Sequence, residues 1–410
     1  MAAQVQKAER TTTGKANYDY ILLVVVITLL LIGLMMVYST TFSLTPDEPT
    51  YFFVRQLQWA AVGLALLAIF ARIPHHWWRR VSVYMLVGVL LLLVAVLFIG
   101  SERFGAQRTF WKGSFQPSEL AKLAIVIYIA DWVSSKGNKI RHVTYGLIPF
   151  AILMGVLTGL ILLQPDFGTA ILIVSTASVM FFLAGADILQ LLIGGAFGSL
   201  SLLFLVTKWP YAAERLAVFW QGINDPVTAG HYQIRQALIA LGQGGVLGRG
   251  LGESQLKFTF LPLSHTDSIF AVVGEELGLI GCLVVIGLFA LLAYRGLRIA
   301  LQSPDNFGMI LAAGVTTWLV FESLINIAVV TATLPPTGIP LPFISYGGSA
   351  LVSALAGVGI LLSVSRGVRG DGDTYADSHS RRGDSRPRLP KHSRRAGDDR
   401  RGEFGAQQTR

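Results

Sequence analysis

Four acidic and basic positions stand where charge is costly. Asp267 sits in the run Leu261-Pro-Leu-Ser-His-Thr-Asp-Ser-Ile-Phe270, where a polar, turn-rich segment enters a long apolar stretch. A carboxylate there carries a price that implies a use, since ionisable groups at membrane depth mark functional sites by default. Its other reading is a helix-start carboxylate satisfied by backbone amides. The positive end of the helix would lower its pKa and burial would raise it, and sequence does not decide between them. Glu119 and Lys122 follow Gln116-Pro117-Ser118, and Pro117 suits the first turn of a helix, so the pair shares one face at i,i+3. Such a pair contributes only about 0.2–0.5 kcal/mol on an exposed helix, whereas an unpaired charge near the bilayer centre costs about 2.5–3.5 kcal/mol. Pairing beside a water-filled cavity would reconcile the two, and a structural bridge reaching to the interface is the bland alternative. Asp166, in Leu163-Gln-Pro-Asp-Phe-Gly-Thr169, reads foremost as the cap of the next helix.

The elements that must position these residues are membrane helices. The 410 residues are 53% hydrophobic and 14% charged, with a mean hydropathy of +0.58, which excludes an ordinary soluble domain. A span needs roughly 20 mostly apolar residues. That template places helices near 19–41, 52–72, 78–99, 117–135, 143–163, 167–185, 187–207, 268–294, 307–333 and 343–365. The fold class is therefore an all-α polytopic membrane protein of about ten transmembrane helices, with a large periplasmic loop between helices 7 and 8. Residues 1–17 form a cytoplasmic tail, 18–367 the transmembrane domain with its loop at about 208–266, and 368–410 a disordered basic cytoplasmic tail. Asp267 falls in the first turn of the eighth helix, with Ala271, Gly274 and Gly278 leaving room beside it.

Positive residues test the count. Lys7, Arg10 and Lys15, then Arg72, Arg79 and Arg80, then Lys136, Lys139 and Arg141, then Arg295 and Arg298 all fall on one side of such a bundle, as cytoplasmic loops require. Much of the +9 net charge lies in the C-terminal tail, which suits anionic membrane lipids. No folded basic domain with interleaved aromatics points to nucleic acid. Cys282, the only cysteine, lies in a span and reads as core. The first apolar run lacks a small-residue cleavage site and should stay as a helix. Gly248-Arg-Gly-Leu-Gly252 lacks a preceding strand and reads as a flexible loop rather than a nucleotide fingerprint.

The outer loops run against the charge bias. Arg103, Arg108, Lys112, Lys208, Arg215, Arg235, Arg249 and Lys257 lie there. Singly they are lipid-anchoring surface residues; as a group they suggest an anionic ligand, because guanidinium matches phosphate bidentately. Residues 231–241 alternate as an interfacial helix would. Glu275, Glu276, Glu322 and Asn326 are most simply interhelical hydrogen-bond partners.

Taken together, Phe115-Gln-Pro-Ser-Glu-Leu-Ala-Lys122, Gln164-Pro-Asp-Phe-Gly-Thr169, Leu261-Pro262 to Asp267 with Gly274-Glu-Glu-Leu-Gly278, and Pro340-Leu-Pro-Phe-Ile-Ser-Tyr-Gly-Gly-Ser349 resemble the SEDS (shape, elongation, division and sporulation) family over residues 18–367. Gly242-Gln-Gly-Gly245 and the Ser-His-Thr-Asp form favour its division branch over its elongation branch. The resemblance implies a ten-helix glycosyltransferase of the bacterial inner membrane that polymerises lipid II into glycan strands at the septum. It would work with a class B penicillin-binding transpeptidase and other division-complex membrane proteins.

It also implies roles. Asp267 matches the family's essential aspartate, and Glu119 and Lys122 match polar residues facing it across a central cavity. Arg108 and Asp166 match cavity or loop positions, and Arg235 and His265 join them as substrate contacts. Asp267 would act as base, or as ligand to a divalent cation, Mg or Mn, on the pyrophosphate. Lys122 with Arg108 or Arg235 would stabilise the leaving group. Arg108 is followed here by Thr-Phe-Trp rather than the family's more usual Trp-Ile. The rival expectations are a lipid II flippase, given charges at membrane depth, and a division scaffold with no reaction of its own.

Overall fold

The computed structural model describes residues 18–42, 50–103, 106–110, 115–208, 210–224, 232–254 and 265–382. Lys7, Arg10, Lys15, Trp111, Lys112, His231, Lys257, Pro262 and the tail from 383 onward lie outside them. Ten long helices form the bundle. They are α1 (Tyr20–Thr41), α2 (Tyr51–Arg72), α3 (His75–Ile99), α4 (Pro117–Lys136), α5 (Leu147–Leu162), α6 (Phe167–Leu183), α7 (Ile188–Lys208), α10 (Ile269–Gln302), α11 (Asn306–Val330) and α12 (Gly348–Arg382). Two further helices, α8 (Pro210–Asn224) and α9 (Tyr232–Gly244), occupy the long loop.

Lipid leaves the backbone no partner but itself, so apolar runs of this length become helices. Six of them, α1, α2, α3, α10, α11 and the part of α12 over Gly348–Arg366, are long and apolar enough to cross a membrane. Helices α5 and α6 have 16 and 17 residues, or about 24–26 Å at 1.5 Å per residue, somewhat short of the hydrocarbon core. Helix α4 has the length but carries Glu119, Lys122 and Asp131. Its apolar residues Ala121, Ile125, Ile127, Ile129 and Ala130 are all buried, so α4 is a central helix.

Ion pairs and hydrogen bonds tie helix ends together at one face of the bundle. Asp19 caps α1 by accepting from Leu22 N–H (3.0 Å) and pairs with Arg295 of α10, whose Nε lies 3.0 Å from Oδ2. Arg79 Nε reaches Asp131 at 3.0 Å, joining α3 to α4. Gln190 of α7 donates to the carbonyl of Arg141 (2.7 Å), Arg141 to that of Gly185, and Arg366 of α12 to that of Arg72. His75 at the start of α3 meets Asp305 before α11. Arg72, Arg79, Arg141, Arg295 and Arg366 take part in these contacts, so this face is called the inner end after the charge bias; the opposite face is the outer end.

In the first outer loop, β1 (Ser101–Arg103) and β2 (Ala106–Thr109) form a small antiparallel hairpin. The apolar span in α12 ends at Arg366, in keeping with the run to 365, while the helical backbone continues to Arg382. The glycine-rich run 248–252 is not loose. Helix α10 is broken at Gly278 (φ +67°), and residues 245–250 splice into the gap. Arg249 and Gly250 N–H donate to the carbonyls of Glu275 and Glu276 (3.0 and 3.1 Å), while Leu279 and Ile280 N–H donate back to those of Gly245 and Val246 (2.9 and 3.3 Å). The approach is so close that a Cβ on Gly248 would stand 2.2 Å from the Glu276 carbonyl oxygen, so both crossing points must be glycine.

Candidate functional site

Asp267 lies at the outer end, one residue before Ser268, the N-cap of α10. It is thus in the entering turn and not in the helix proper, a shift of one position from expectation. Three successive carbonyls fix that turn from outside. Tyr346 N–H donates to His265 O (2.8 Å), Ser345 Oγ to Thr266 O (2.6 Å), and Asn326 Nδ2 to Asp267 O (2.8 Å). Asn326 also donates to Ile339 O at 2.8 Å, so one buried amide on α11 ties the turn to the segment that precedes α12. That segment is itself held: Ser345 Oγ accepts from Leu341 N–H (2.8 Å), and Gln56 of α2 donates to Ser345 O (3.1 Å).

Two neutral donors contact the carboxylate. Gln233 of α9 donates Nε2 to Asp267 Oδ1 (3.2 Å) and to Ser268 Oγ (2.8 Å), and Thr266 Oγ1 donates to Oδ1 (3.1 Å). Asp267 is half-buried and lines a small recess. Gln233, Ile234 and Ala237 of α9 form one wall, Val329, Val330 and Pro336 the other, with Ser268 beside the carboxylate. The small residues Gly274 and Gly278 do not leave open space as expected. Helix α9 fills it at Gly274, where a Cβ on Gly244 would stand 1.9 Å from the carbonyl oxygen, and residues 246–248 fill it at Gly278.

Lys122 is placed differently. Its Nζ lies 2.7 Å from Glu119 Oε2 and 2.5 Å from Glu322 Oε1, with Trp318 5.6 Å away across a cation–π contact. All three charged groups are at most 5% exposed. The i,i+3 pair therefore exists as expected, and Glu322 joins it from α11. Lys122 is not among the residues lining the Asp267 recess. A chain of contacts links the two along α11, because Glu322, bonded to Lys122, is one turn from Asn326, which holds the Asp267 carbonyl.

Asp166 caps α6 through Thr169 N–H (3.1 Å) and accepts from Gln116 Nε2 (3.2 Å). It joins the start of α4 to that of α6, while Gln116 N–H donates to Ser349 Oγ (3.1 Å). The 341–349 segment is thus the junction between the Asp166 and Asp267 groups. His265 packs in a ring cluster with Phe52 (5.3 Å) and Tyr346 (5.6 Å). Arg235 is half-buried with its guanidinium 5.7 Å from the Tyr232 ring, and Arg108 is half-buried on β2. Glu275 and Glu276 are buried partners as expected: Ser254 Oγ donates to Glu275 (2.5 Å) and Ser39 Oγ to Glu276 (2.6 and 2.8 Å).

Sequence reasoning missed Gln233 and the clamps made by Asn326, Ser345 and Tyr346. Asn326 at membrane depth was visible as a polar partner. The identity of what it holds, a backbone carbonyl on another element, has no signature in composition or period.

The oxygens grouped here are the Asp267 carboxylate and the Thr266 and Ser268 hydroxyls, hard ligands of the kind that suit Mg or Mn, while Gln233 turns its Nε2 toward them as a donor and offers no ligand atom.

The family model described as cell cycle protein, covering FtsW, RodA and SpoVE, matches residues 20–370. A probable peptidoglycan glycosyltransferase FtsW of Trichlorobacter lovleyi is 39% identical over 361 residues, 86% of this chain and 94% of that one. The stage V sporulation protein E of Bacillus subtilis is 39% identical over 362 residues, 87% and 99% of the two chains. Among solved structures, a chain from a peptidoglycan synthase complex, reported for its coordination of polymerization and crosslinking, superposes with a TM-score of 0.71 at 29% identity. It spans 86% of this chain and 98% of that chain. Rod shape determining protein RodA of Thermus thermophilus gives 0.63 at 29% identity, spanning 85% and 97%.

Proposed function

Because the chain belongs to the FtsW, RodA and SpoVE family of polytopic membrane proteins, we propose that it is a peptidoglycan glycosyltransferase that polymerises lipid II at the outer end of the bundle. The observation that carries this reading is the construction around Asp267. One carboxylate is oriented by Gln233 and Thr266, its backbone fixed by Asn326, at the edge of a recess with apolar walls. Such walls suit a lipid-linked donor, and a fixed carboxylate suits proton transfer.

The acceptor sugar's 4-hydroxyl attacks the anomeric carbon of the donor. The new glycosidic bond forms as the bond from that carbon to the pyrophosphate oxygen breaks, inverting configuration. Asp267 takes the hydroxyl proton, and the undecaprenyl pyrophosphate leaves with its negative charge. Arg108 and Arg235, on outer elements, offset that charge. A divalent cation on Asp267, when bound, would supply further neutralisation of the pyrophosphate. Lys122 is committed to Glu119 and Glu322, so its part is positioning: it fixes α11, and through Asn326 the turn that bears the base. A class B penicillin-binding transpeptidase is the proposed partner and the division septum the proposed site of action. The relatives' names and the synthase complex support these assignments.

The test is polymerisation of purified lipid II in detergent, with product length read on a gel. Asp267→Ala and Asp267→Asn should each lose at least about a hundredfold of the rate, the usual scale for a general base. Wild-type rate in a folded Asp267→Ala protein refutes the assignment of the base. Absence of any glycan product from the native protein, with lipid II changing sides in vesicles, would establish the transporter reading instead.

A further inference from the structure

At the inner end, a bundle length away from Asp267, three ligand-bearing side chains converge. His75 opens α3, His76 follows it, and Asp305 precedes α11. His75 Nε2 lies 2.9 Å from Asp305 Oδ1, and His76 Nδ1 lies 4.0 Å from Asp305 Oδ2. The three donor atoms all fall within 4.8 Å of one another, and the two imidazole rings sit 3.9 Å apart. From these distances we propose that His75, His76 and Asp305 form a binding site for a divalent transition metal of the zinc type, stapling the α2–α3 corner to the α10–α11 corner.

Metal–nitrogen and metal–oxygen bonds of about 2.0–2.2 Å put neighbouring ligand atoms roughly 3.3–3.5 Å apart in a tetrahedron. The present separations bracket that range. Binding would replace the His75–Asp305 hydrogen bond and draw His76 in by a fraction of an ångström. Two imidazoles with one carboxylate form a nitrogen-rich set that suits zinc over the oxygen-seeking magnesium or calcium.

The surroundings are prepared for it. Gly308 N–H donates to Asp305 Oδ2 at 3.1 Å, fixing the carboxylate as outer partners of metal ligands do. A Cβ on Gly308 would stand 2.9 Å from Asp305 Oδ1 and 3.3 Å from the His75 ring, so glycine there is what lets the two approach. Burial pushes the Asp305 carboxyl up, but the His75 bond, the Gly308 amide and the charges of both histidines outweigh it and hold the group below its ordinary range. It is ionised at neutral pH, as a ligand must be. His75 is 4% exposed, Asp305 30% and His76 59%, so the cluster is anchored on one side and open on the other. Open positions on the metal would face water.

The test uses tag-free full-length protein in detergent, stripped with chelator and titrated with zinc against a chromophoric indicator. One equivalent should bind per chain, and thermal unfolding should move upward with zinc but not with magnesium. His76→Ala removes an exposed side chain, so it should fold and unfold like the native protein without zinc. It should lose at least about tenfold in affinity and most of the zinc-induced shift. Asp305→Asn keeps a capping side chain and should show the same loss. Equal zinc binding by native protein and His76→Ala, or no saturable one-equivalent site in the native protein, overturns the proposal. Neither result bears on Asp267, since lipid II polymerisation without zinc reads that site separately.

Discussion

Asn326 and Asp267 meet through an amide and a backbone carbonyl, 2.8 Å apart, although 59 residues separate them. The position of the proposed base is therefore set from the neighbouring helix, by a side chain that touches none of the reacting atoms. Asn326 is 1% exposed and spends both its N–H groups, so nothing else can stand in for it.

Asn326→Ala strands two carbonyls. A buried unsatisfied group costs about 1–3 kcal/mol, so thermal stability should fall by that order. Polymerisation should fall by more than stability explains, with kcat lost and lipid II affinity retained, because the turn is released while the recess stays. Assaying both at a temperature where the variant is fully folded separates the two effects.

Gln233→Ala removes the donor that bridges Asp267 and Ser268. Hydrogen bonds to charged groups contribute about 1.5–3 kcal/mol, or roughly 10- to 150-fold in rate if the bond is needed in the transition state. Helix α9 keeps its packing through Ala237 and Ala240, both buried, so unfolding should barely change. Unaltered glycan synthesis in this variant would show that the carboxylate needs no orientation from α9.

Lys122→Ala leaves Glu119 and Glu322 facing each other without a cation, and breaking a buried pair costs about 3–5 kcal/mol. The single variant should express poorly. Combining Lys122→Met with Glu119→Gln and Glu322→Gln removes all three charges at nearly constant volume and should restore folding. If that triple variant also polymerises lipid II, Lys122 acts through position alone; a folded but inactive triple variant assigns its charge to the reaction.

Gly248→Ala places a methyl 2.2 Å from a carbonyl oxygen at φ +81°. Backbone strain of about 1–3 kcal/mol is the minimum, since the crossing strand must also move. Proteolysis of the native-state protein near residues 244–254 should accelerate, whereas Gly252→Ala, at φ +85° but with no atom within 4 Å, carries the backbone strain without the clash and should accelerate it less.

The bundle was legible because lipid reduces the question to apolar length. Most of the ten long helices follow from runs of Leu, Val and Ile, and Asp19, Asp166 and Asp305 stand at helix starts as capping residues should. The Glu119–Lys122 pair was legible because i,i+3 spacing is local. What lay beyond reach was non-local. Glu322 reaches Lys122 across 200 positions and Asn326 reaches Asp267 across 59, and neither spacing carries a period. The glycine run 248–252 was misread for the same reason: glycine marks both a loose loop and a tight crossing, and only the opposing backbone distinguishes them.

The break at Gly278 has a bearing on how the chain enters the bilayer. Four peptide groups of α10 are paired only by residues 245–250, and lipid offers them nothing else, at several kcal/mol for each one orphaned. That helix cannot finish as an autonomous hydrophobic rod. Its insertion must wait for residues 245–250 to dock, so completion of that span and placement of the segment before it are a single event, and trimming that segment would cost the protein a span.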